Sequence, residues 1–506
     1  MANRNKQVLI VGGGTAGWLA ACYLNARINQ HRNGSRIQIT LIESPSIPRI
    51  GVGEATIPTL INTLQTIGFS EREFMVASDA SFKQGIKFVN WLHPGHAYYH
   101  PFDRRAAGSG DNRGLQWAQS QRNIDFAYWL STQAAFCDAG LAPKGLGQAD
   151  YQSPLAYAYH LNAEKFADLL RSKGLGQGIV HRYAEVQGLE RNSDSGDIRA
   201  VLTDAGERLS ADLFIDCSGL RGLLIDEALQ VPHVDYSPWL LCDRAVTLRV
   251  PFSVQRPDNR KPYTTATARS AGWSWDIPLA DRRGLGYVYS SQFISDTEAE
   301  AELRRAEGAH SDSCSGQVLR FRVGRRAESW RHNCVALGLA SGFIEPLEST
   351  GIYLVEYAAA LLCEYFPHGD NSASLQQRFN RLLQNRYEEI LNFIVLHYCL
   401  SQRDDTPFWR EVRKPARIPA ALQELFELWR EKACSHTDFH DAMQLFGHMN
   451  YEYILYGMQF PAPPSLTAPS KKNLELPTWV KKELTLGREK LPLHNTWLRQ
   501  ELDTRN

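Results

Sequence analysis

The 506-residue sequence has no C-x-x-C pair; its nine cysteines stand singly at 22, 137, 217, 242, 314, 334, 363, 399 and 434. A zinc ribbon and a dithiol redox pair are therefore excluded. No apolar run approaches the roughly 18 residues needed to span a bilayer. A surplus of charge is absent as well, with 55 basic and 55 acidic side chains. Non-specific nucleic-acid binding needs excess Lys and Arg facing phosphate and is disfavoured. The amino terminus, MANRNKQVLIVGGG, lacks the apolar segment and small-residue cleavage site of a signal peptide. The expectation is a cytoplasmic protein with free thiols, no membrane association and no nucleic-acid partner. The remaining composition, 43% apolar and 22% charged, is globular. The length corresponds to roughly two to three domains. The sequence shows no internal repeat.

The first informative segment is QVLIV at 7–11, a branched apolar run suited to a buried parallel strand. Gly12-Gly13-Gly14-Thr15-Ala16-Gly17 follows at once, then a helical stretch WLAACYLNARINQ. A second strand, RIQITLIE, ends at Glu43, 26 residues beyond Gly17. Strand, G-x-G-x-x-G turn, helix, strand and terminal acid fall in the order of a dinucleotide-binding unit. Gly12, Gly14 and Gly17 permit a tight turn and close approach of backbone N–H groups to a pyrophosphate. Glu43 is placed to accept hydrogen bonds from a ribose. Gly51 and Gly53 then flank a second tight passage between Pro48 and Pro58. Residues 180–216 read as strand, turn, strand, turn, strand, with turns at 192–196 and 204–207. A meander returning to the first sheet is a feature of FAD-binding folds, a step taken by analogy. No second strand–GxGxxG–helix for NAD(P)H follows, which suggests that the flavin is reduced elsewhere.

Residues 103–116 read as a polar surface loop, a plain connector or a lid. A helix is expected at 162–174, a cavity-walling β-sheet over 236–300, helices from Ile352 to about 460, and one charged helix at 481–502.

Three constellations carry chemistry. In Gly272-Trp273-Ser274-Trp275-Asp276-Ile277-Pro278, a strand places Trp273 and Trp275 on one face, as an impermeable wall or an ordinary core pair. In Glu345-Pro346-Leu347-Glu348-Ser349-Thr350-Gly351, an irregular passage opens a helix whose N–H groups suit a small anion such as halide. Glu348 there is either functional or a solvated residue beside a helix cap. In Phe82-Lys83-Gln84-Gly85-Ile86-Lys87-Phe88, alternation puts Lys83 and Lys87 on one strand face, inward and functional or outward on an edge.

Together these segments resemble the flavin-dependent tryptophan halogenase family. The matching segments are GGGTAGW at 12–18, PRIGVGEATIP at 48–58, FKQGIKFVNW at 82–91, DLFIDCSGLRGLLI at 212–225, GWSWDIP at 272–278, FIEPLESTGIY at 343–353 and SQRDDTPFW at 401–409. The resemblance implies an α/β fold: a Rossmann-like FAD-binding domain of the GR2 type with an inserted β-sheet, and a mainly helical substrate-binding region. Residues 1–350 would form the flavin module and 351–506 the helical region. It implies FAD, used as FADH2 from a separate NAD(P)H-dependent reductase, with chloride or bromide as co-substrate. Flavin contacts would come from Gly12, Gly14, Thr15, Ala16, Gly17, Glu43, Gly53, Val186, Leu339 and Ile352, and halide contacts from Thr350 and Gly351. Hypohalous acid would pass the wall of Trp273 and Trp275 to Lys83. Lys83 would form a haloamine or hydrogen-bond the acid. Glu348 would polarise the oxidant or take the ring proton. No metal is implied, and a homodimer is one expectation for the assembly.

One departure concerns the substrate. Members that take free tryptophan grip it with two adjacent tyrosines, an acid, a tryptophan and an asparagine. Aligned on Asn450, the acid is Asp441 and the tryptophan position is Phe446, while Cys434 and Ser435 occupy the tyrosine positions. His100 and Phe102 match the ring-sandwiching His-x-Phe pair. An aromatic platform persists but the clamp for the amino-acid end is incomplete. The expected substrate is therefore indole, a substituted indole, or tryptophan, including a peptide-borne residue. The competing expectations are a flavin-dependent aromatic hydroxylase and a non-catalytic flavin-binding protein.

Overall fold

The computed structural model describes residues 5–30, 37–47, 53–103, 113–252, 260–367, 369, 373–439, 444–463 and 473–502. The amino-terminal strand Lys6–Val11 lies inside a six-stranded sheet. The strand order is Trp330–Arg331, Cys334–Ala336, Leu213–Asp216, Lys6–Val11, Ile37–Glu43, Val180–Tyr183. All neighbours are parallel except the short pair at Trp330–Arg331. Strands buried on both faces need continuous apolar sequence, and Val8, Leu9, Ile10 and Val11 are all at most 3% exposed. The meander forms as expected from Val186–Arg191, Ile198–Thr203 and Arg208–Leu209, and its continuation Leu213–Asp216 returns to pair with Lys6–Val11.

A second, seven-stranded sheet runs Gly316–Arg320, Arg244–Pro251, Arg282–Tyr289, Gly272–Pro278, Thr264–Arg269, Gly85–Val89, Ala97–Pro101. One face joins the main core through Trp273, Trp275, Ile277 and Val288. The other packs Val246, Leu248, Leu285 and Tyr287 under Ala299 and Leu303 of the helix Asp296–Glu307, so the expected sheet ends before residue 300. A small sheet of Gly53–Ala55, Ala158–Asn162 and Ser81–Lys83 bridges the two layers.

Two long helices dominate the carboxyl-terminal half. Gly351–Glu364 is apolar on nearly every side and buried to match, the signature of an interior helix; it packs on the first helix, Thr15–Leu24. Ala373–Cys399 carries His397 and Tyr398 in its last turn. One continuous core takes residues from Val8 to Leu498.

The structure differs from the sequence reading in three further places. Lys83 and Lys87 do not share a face. The chain breaks at Gln84, whose N–H goes to Pro262, and each lysine enters a different sheet. Gly85 turns the chain there, because a Cβ would lie 2.6 Å from the His100 carbonyl oxygen. Of the loop expected at 103–116, residues 104–112 lie outside the described part, and Arg113–Ala118 is helical because Trp117 and Ala118 are buried. The terminal helix is two helices, Thr478–Lys490 and His494–Leu502. They are split where Pro492 cannot continue the backbone ladder and Leu493 instead bridges to Leu141. The nine cysteines, all among the described residues, form no disulfide. Among the described residues no helix is long and apolar enough to cross a membrane, and no group of acidic, His or Cys side chains would hold a metal.

Candidate active site

The glycine-rich turn sits at the carboxyl edge of the parallel sheet. Gly12 (φ 120°) passes so close to the next strand that a Cβ would lie 2.1 Å from the Cys217 carbonyl oxygen. A Cβ on Gly17 would lie 1.9 Å from the Gly12 oxygen. Gly14, by contrast, faces open space, with no atom within 4 Å of a built Cβ. As N-cap it offers no side chain to the helix start, so the first N–H groups point into that space. Glu43 ends the second strand beside Gly13 and accepts from His181 Nε2 at 3.0 Å. Thr15 donates its hydroxyl to the Ala163 carbonyl. The turn Gly338–Ala340, which carries Leu339, abuts Ala16; Val186 opens the meander. An open glycine cradle, an uncapped helix start and an adjacent carboxylate fit the diphosphate and ribose of a dinucleotide.

The tryptophan strand is the centre of the second sheet. Trp273 and Trp275 lie on one face with ring centroids 6.1 Å apart. Small neighbours make room for them: Ala268 opposes Trp273, Ala266 opposes Trp275, and Gly286 lies beneath the Trp275 ring. Trp273 Nε1 donates to Glu345 Oε2 at 2.8 Å. Trp275 Nε1 is buried with no hydrogen-bond partner among the described residues.

Lys83 has no exposed surface. Its Nζ donates to the Thr56 carbonyl at 3.0 Å and to Ser349 Oγ at 2.7 Å, and lies 5.0 Å from the centre of the Phe102 ring. Burial lowers its pKa to about 7, opposed by the charge of Glu348. Ser349 adopts the left-handed conformation, φ 62°, a strained state for a non-glycine residue.

Glu348 is 2% exposed and held by two histidines. His100 Nδ1 lies 3.0 Å from both carboxylate oxygens, and His397 Nε2 lies 2.9 Å from Oε1. Burial works to raise the Glu348 carboxyl, but the contacts to His100 and His397 outweigh it and hold the pKa at about 2. The hydrogen-bond partners assign the protons. Gly447 N–H donates to Asn450 Oδ1, so Asn450 Nδ2 donates to His100 Nε2 and His100 carries its proton on Nδ1. His397 has an oxygen on each side: its Nδ1 lies 2.8 Å from the Phe393 carbonyl oxygen and its Nε2 lies 2.9 Å from Glu348 Oε1.

Immediately after Ser349, Thr350 caps the helix Gly351–Glu364 without a side-chain bond to it. Its Oγ1 is buried and has no hydrogen-bond partner among the described residues. Gly351 is exposed, with no atom within 4 Å of a built Cβ; Ile352 behind it is buried. An uncapped start, an orphaned hydroxyl and open space suit a small anion such as a halide. Of the residues expected to hold substrate, His100 and Phe102 flank Glu348 and Lys83, Asn450 bonds His100, and Phe446 stacks on Phe393 at 3.9 Å. Asp441 lies outside the described residues. Cys434, at one expected tyrosine position, is buried against the His448 carbonyl.

Sequence reasoning missed the side chains that orient the candidates: Ser349 on Lys83, His397 on Glu348, and Glu345 with Tyr398 on Trp273. Ser349 lies inside the quoted FIEPLESTGIY segment. His397 and Tyr398 carried no local signal, being two ordinary positions in a 27-residue helix.

The sequence matches the family model described as tryptophan halogenase over residues 7–471. It is 37% identical over 452 residues to tryptophan 6-halogenase SttH of Streptomyces toxytricini, covering 85% of each chain. It is 36% identical to tryptophan 7-halogenase RebH of Lentzea aerocolonigenes, covering 89% of this chain and 87% of the relative. The solved structure of Xcc4156, a flavin-dependent halogenase from Xanthomonas campestris, superposes with a TM-score of 0.88 at 32% identity over 98% of both chains. The chain belongs to the tryptophan halogenase family and is a flavin-dependent halogenase.

Proposed function

We propose that the chain takes FADH2 from a separate NAD(P)H-dependent reductase and, with O2 and chloride or bromide, halogenates indole, a substituted indole, or tryptophan, including a peptide-borne residue. The observation that carries the reading is a fully buried lysine amine, Lys83, with a pKa of about 7 and an ionised Glu348 nearby. When bound, FADH2 with O2 supplies the oxidising equivalents that convert halide to hypohalous acid. Thr350 and the Gly351 N–H hold the halide at the helix start. Trp273 and Trp275 keep the aromatic substrate from the flavin, which suppresses hydroxylation.

Near neutral pH a substantial fraction of Lys83 is the free amine, a nucleophile toward halogen. An N–halogen bond forms as the oxygen–halogen bond breaks, and the hydroxyl leaves as water with a proton from the amine. The ammonium form would instead hydrogen-bond and polarise the intact acid. Either way, a fixed side chain confines a diffusible oxidant, and orientation selects the ring carbon. Glu348 accepts the ring proton; a carboxylate of this acidity suffices because the cationic ring intermediate is a strong acid. His100, Phe102 and Phe446 supply the aromatic surround. Residues 1–350 serve as the flavin module and 351–506 as the substrate region.

The clamp for a free amino-acid end is incomplete at Cys434 and Ser435, so indole and L-tryptophan turn over within about a hundredfold of each other, a gap of roughly 2.7 kcal/mol. A larger preference for L-tryptophan in a side-by-side assay with bromide overturns this substrate reading.

A further inference from the structure

The two buried acids of the segment 345–351 are each held by one of two consecutive residues on the last turn of the helix Ala373–Cys399. His397 holds Glu348, and Tyr398 holds Glu345, its hydroxyl donating to Oε2 at 2.8 Å. The same oxygen accepts the Trp273 indole N–H at 2.8 Å. Glu345 has no exposed surface, and among the described residues its Oε1 has no hydrogen-bond partner. Trp275 supplies an internal contrast: its own N–H is unpaired among the described residues, and its ring is held by packing, over Gly286 and beside Trp273.

We propose that Glu345 is a positioning residue for halogenation, fixing the tilt of the Trp273 ring so that the wall passes oxidant toward Lys83 and excludes the aromatic substrate. This deepens the reading given above and rests on its assignment of Trp273 to the wall. An acceptor oxygen is required, not a negative charge. Burial pushes the Glu345 carboxyl up to about 7, and a neutral acid still offers its carbonyl oxygen to both donors. A primary amide has the same shape and presents the same oxygen. Without the acceptor, the Trp273 N–H would be buried and unpaired, the Tyr398 hydroxyl would keep only the Cys242 sulfur, 3.8 Å away, among the described residues, and the Trp273 ring would lose the hydrogen bond that anchors it.

The test compares Glu345→Gln with Glu345→Leu in the full-length enzyme with FADH2, O2, bromide and indole. Bromoindole formed per flavin oxidised is measured beside the rate of flavin oxidation. For Glu345→Leu the yield per flavin falls at least tenfold, electrophilic bromine appears in an external trap, and the flavin oxidation rate changes less than threefold. For Glu345→Gln the yield stays within threefold of wild type. Trp273→Phe keeps a six-membered aromatic ring in the wall but removes the donor together with the fused five-membered ring; it lowers the yield in the same direction and stands in if Glu345→Leu does not fold. A wild-type yield from Glu345→Leu, or an equal loss from Glu345→Gln, overturns the proposal. A crystal structure of Glu345→Leu gives a readout independent of turnover. A shifted Trp273 ring is expected, and an unmoved ring overturns the proposal. If wild type makes no bromoindole, the functional reading fails on its own and the ring position still decides this one.

Discussion

Two helices that pack against each other, Thr15–Leu24 and Gly351–Glu364, begin alike and end up with different neighbourhoods. Neither N-cap side chain bonds its own helix, and both starts face open space, at Gly14 and at Gly351. The first start is built from one contiguous stretch, because a dinucleotide cradle needs only backbone N–H groups and tight turns. The second stands beside a buried lysine, a buried acid, two histidines and a strained serine drawn from four separate elements. A site that binds can be encoded locally; a site that must tune the charge of its reacting groups recruits side chains from across the molecule.

Removing the ionised acid from the second site is the strongest way to sharpen that contrast. Glu348→Gln lowers product formation on the order of a hundredfold or more, since general-base removal costs about 10²–10⁴. His397→Leu, which removes one of the two imidazoles held against Glu348, loses about tenfold or more, while flavin binding measured by fluorescence titration is unchanged in both. Equal damage to flavin binding would show that the two helix starts are not separable.

At the second helix start, Gly351→Ala fills the open space and Thr350→Val removes the orphaned hydroxyl. The apparent KM for bromide rises about tenfold in each, worth roughly 1.4 kcal/mol, with indole KM unaffected. A change in indole KM instead would relocate the anion.

The pH profile comes next. Because burial lowers Lys83 to about 7, the amine route predicts that the halogen-transfer rate rises through about pH 7 and levels above it, a several-fold effect read by single-turnover quench. A fall across the same range assigns the ammonium, hydrogen-bonding role.

The smallest effect is on stability. The folded-state Lys83 pKa lies below the ordinary lysine value of 10.5, so between about 7 and 10.5 the unfolded chain holds a proton that the folded chain has released, and stability rises with pH across that window. Lys83→Met removes this cost and raises Tm by about 2–4 °C at pH 7; an unchanged or lower Tm would mean that the bonds to Thr56 and Ser349 outweigh the burial cost.

The same contrast governs what the sequence discloses. The strand, turn and acid of the first unit are contiguous, so periodicity and glycine spacing locate the cradle. The pair Trp273 and Trp275 is legible for the same reason, since alternation alone puts both on one face. Lys83 was visible as a residue, but its surroundings were not. The break at Gln84 that parts it from Lys87 depends on the close approach of Gly85 to His100, a long-range contact. His397 and Tyr398 are invisible because nothing local distinguishes them from other residues of a long amphipathic helix. Their importance follows from where the helix ends relative to Glu345 and Glu348, and that is set by packing.

The most direct test is a single turnover of Lys83→Ala with FADH2, O2, bromide and indole, following flavin oxidation by absorbance and bromoindole by mass spectrometry. The account predicts wild-type flavin oxidation with bromoindole reduced at least a thousandfold. Bromoindole at the wild-type rate from that variant would contradict it.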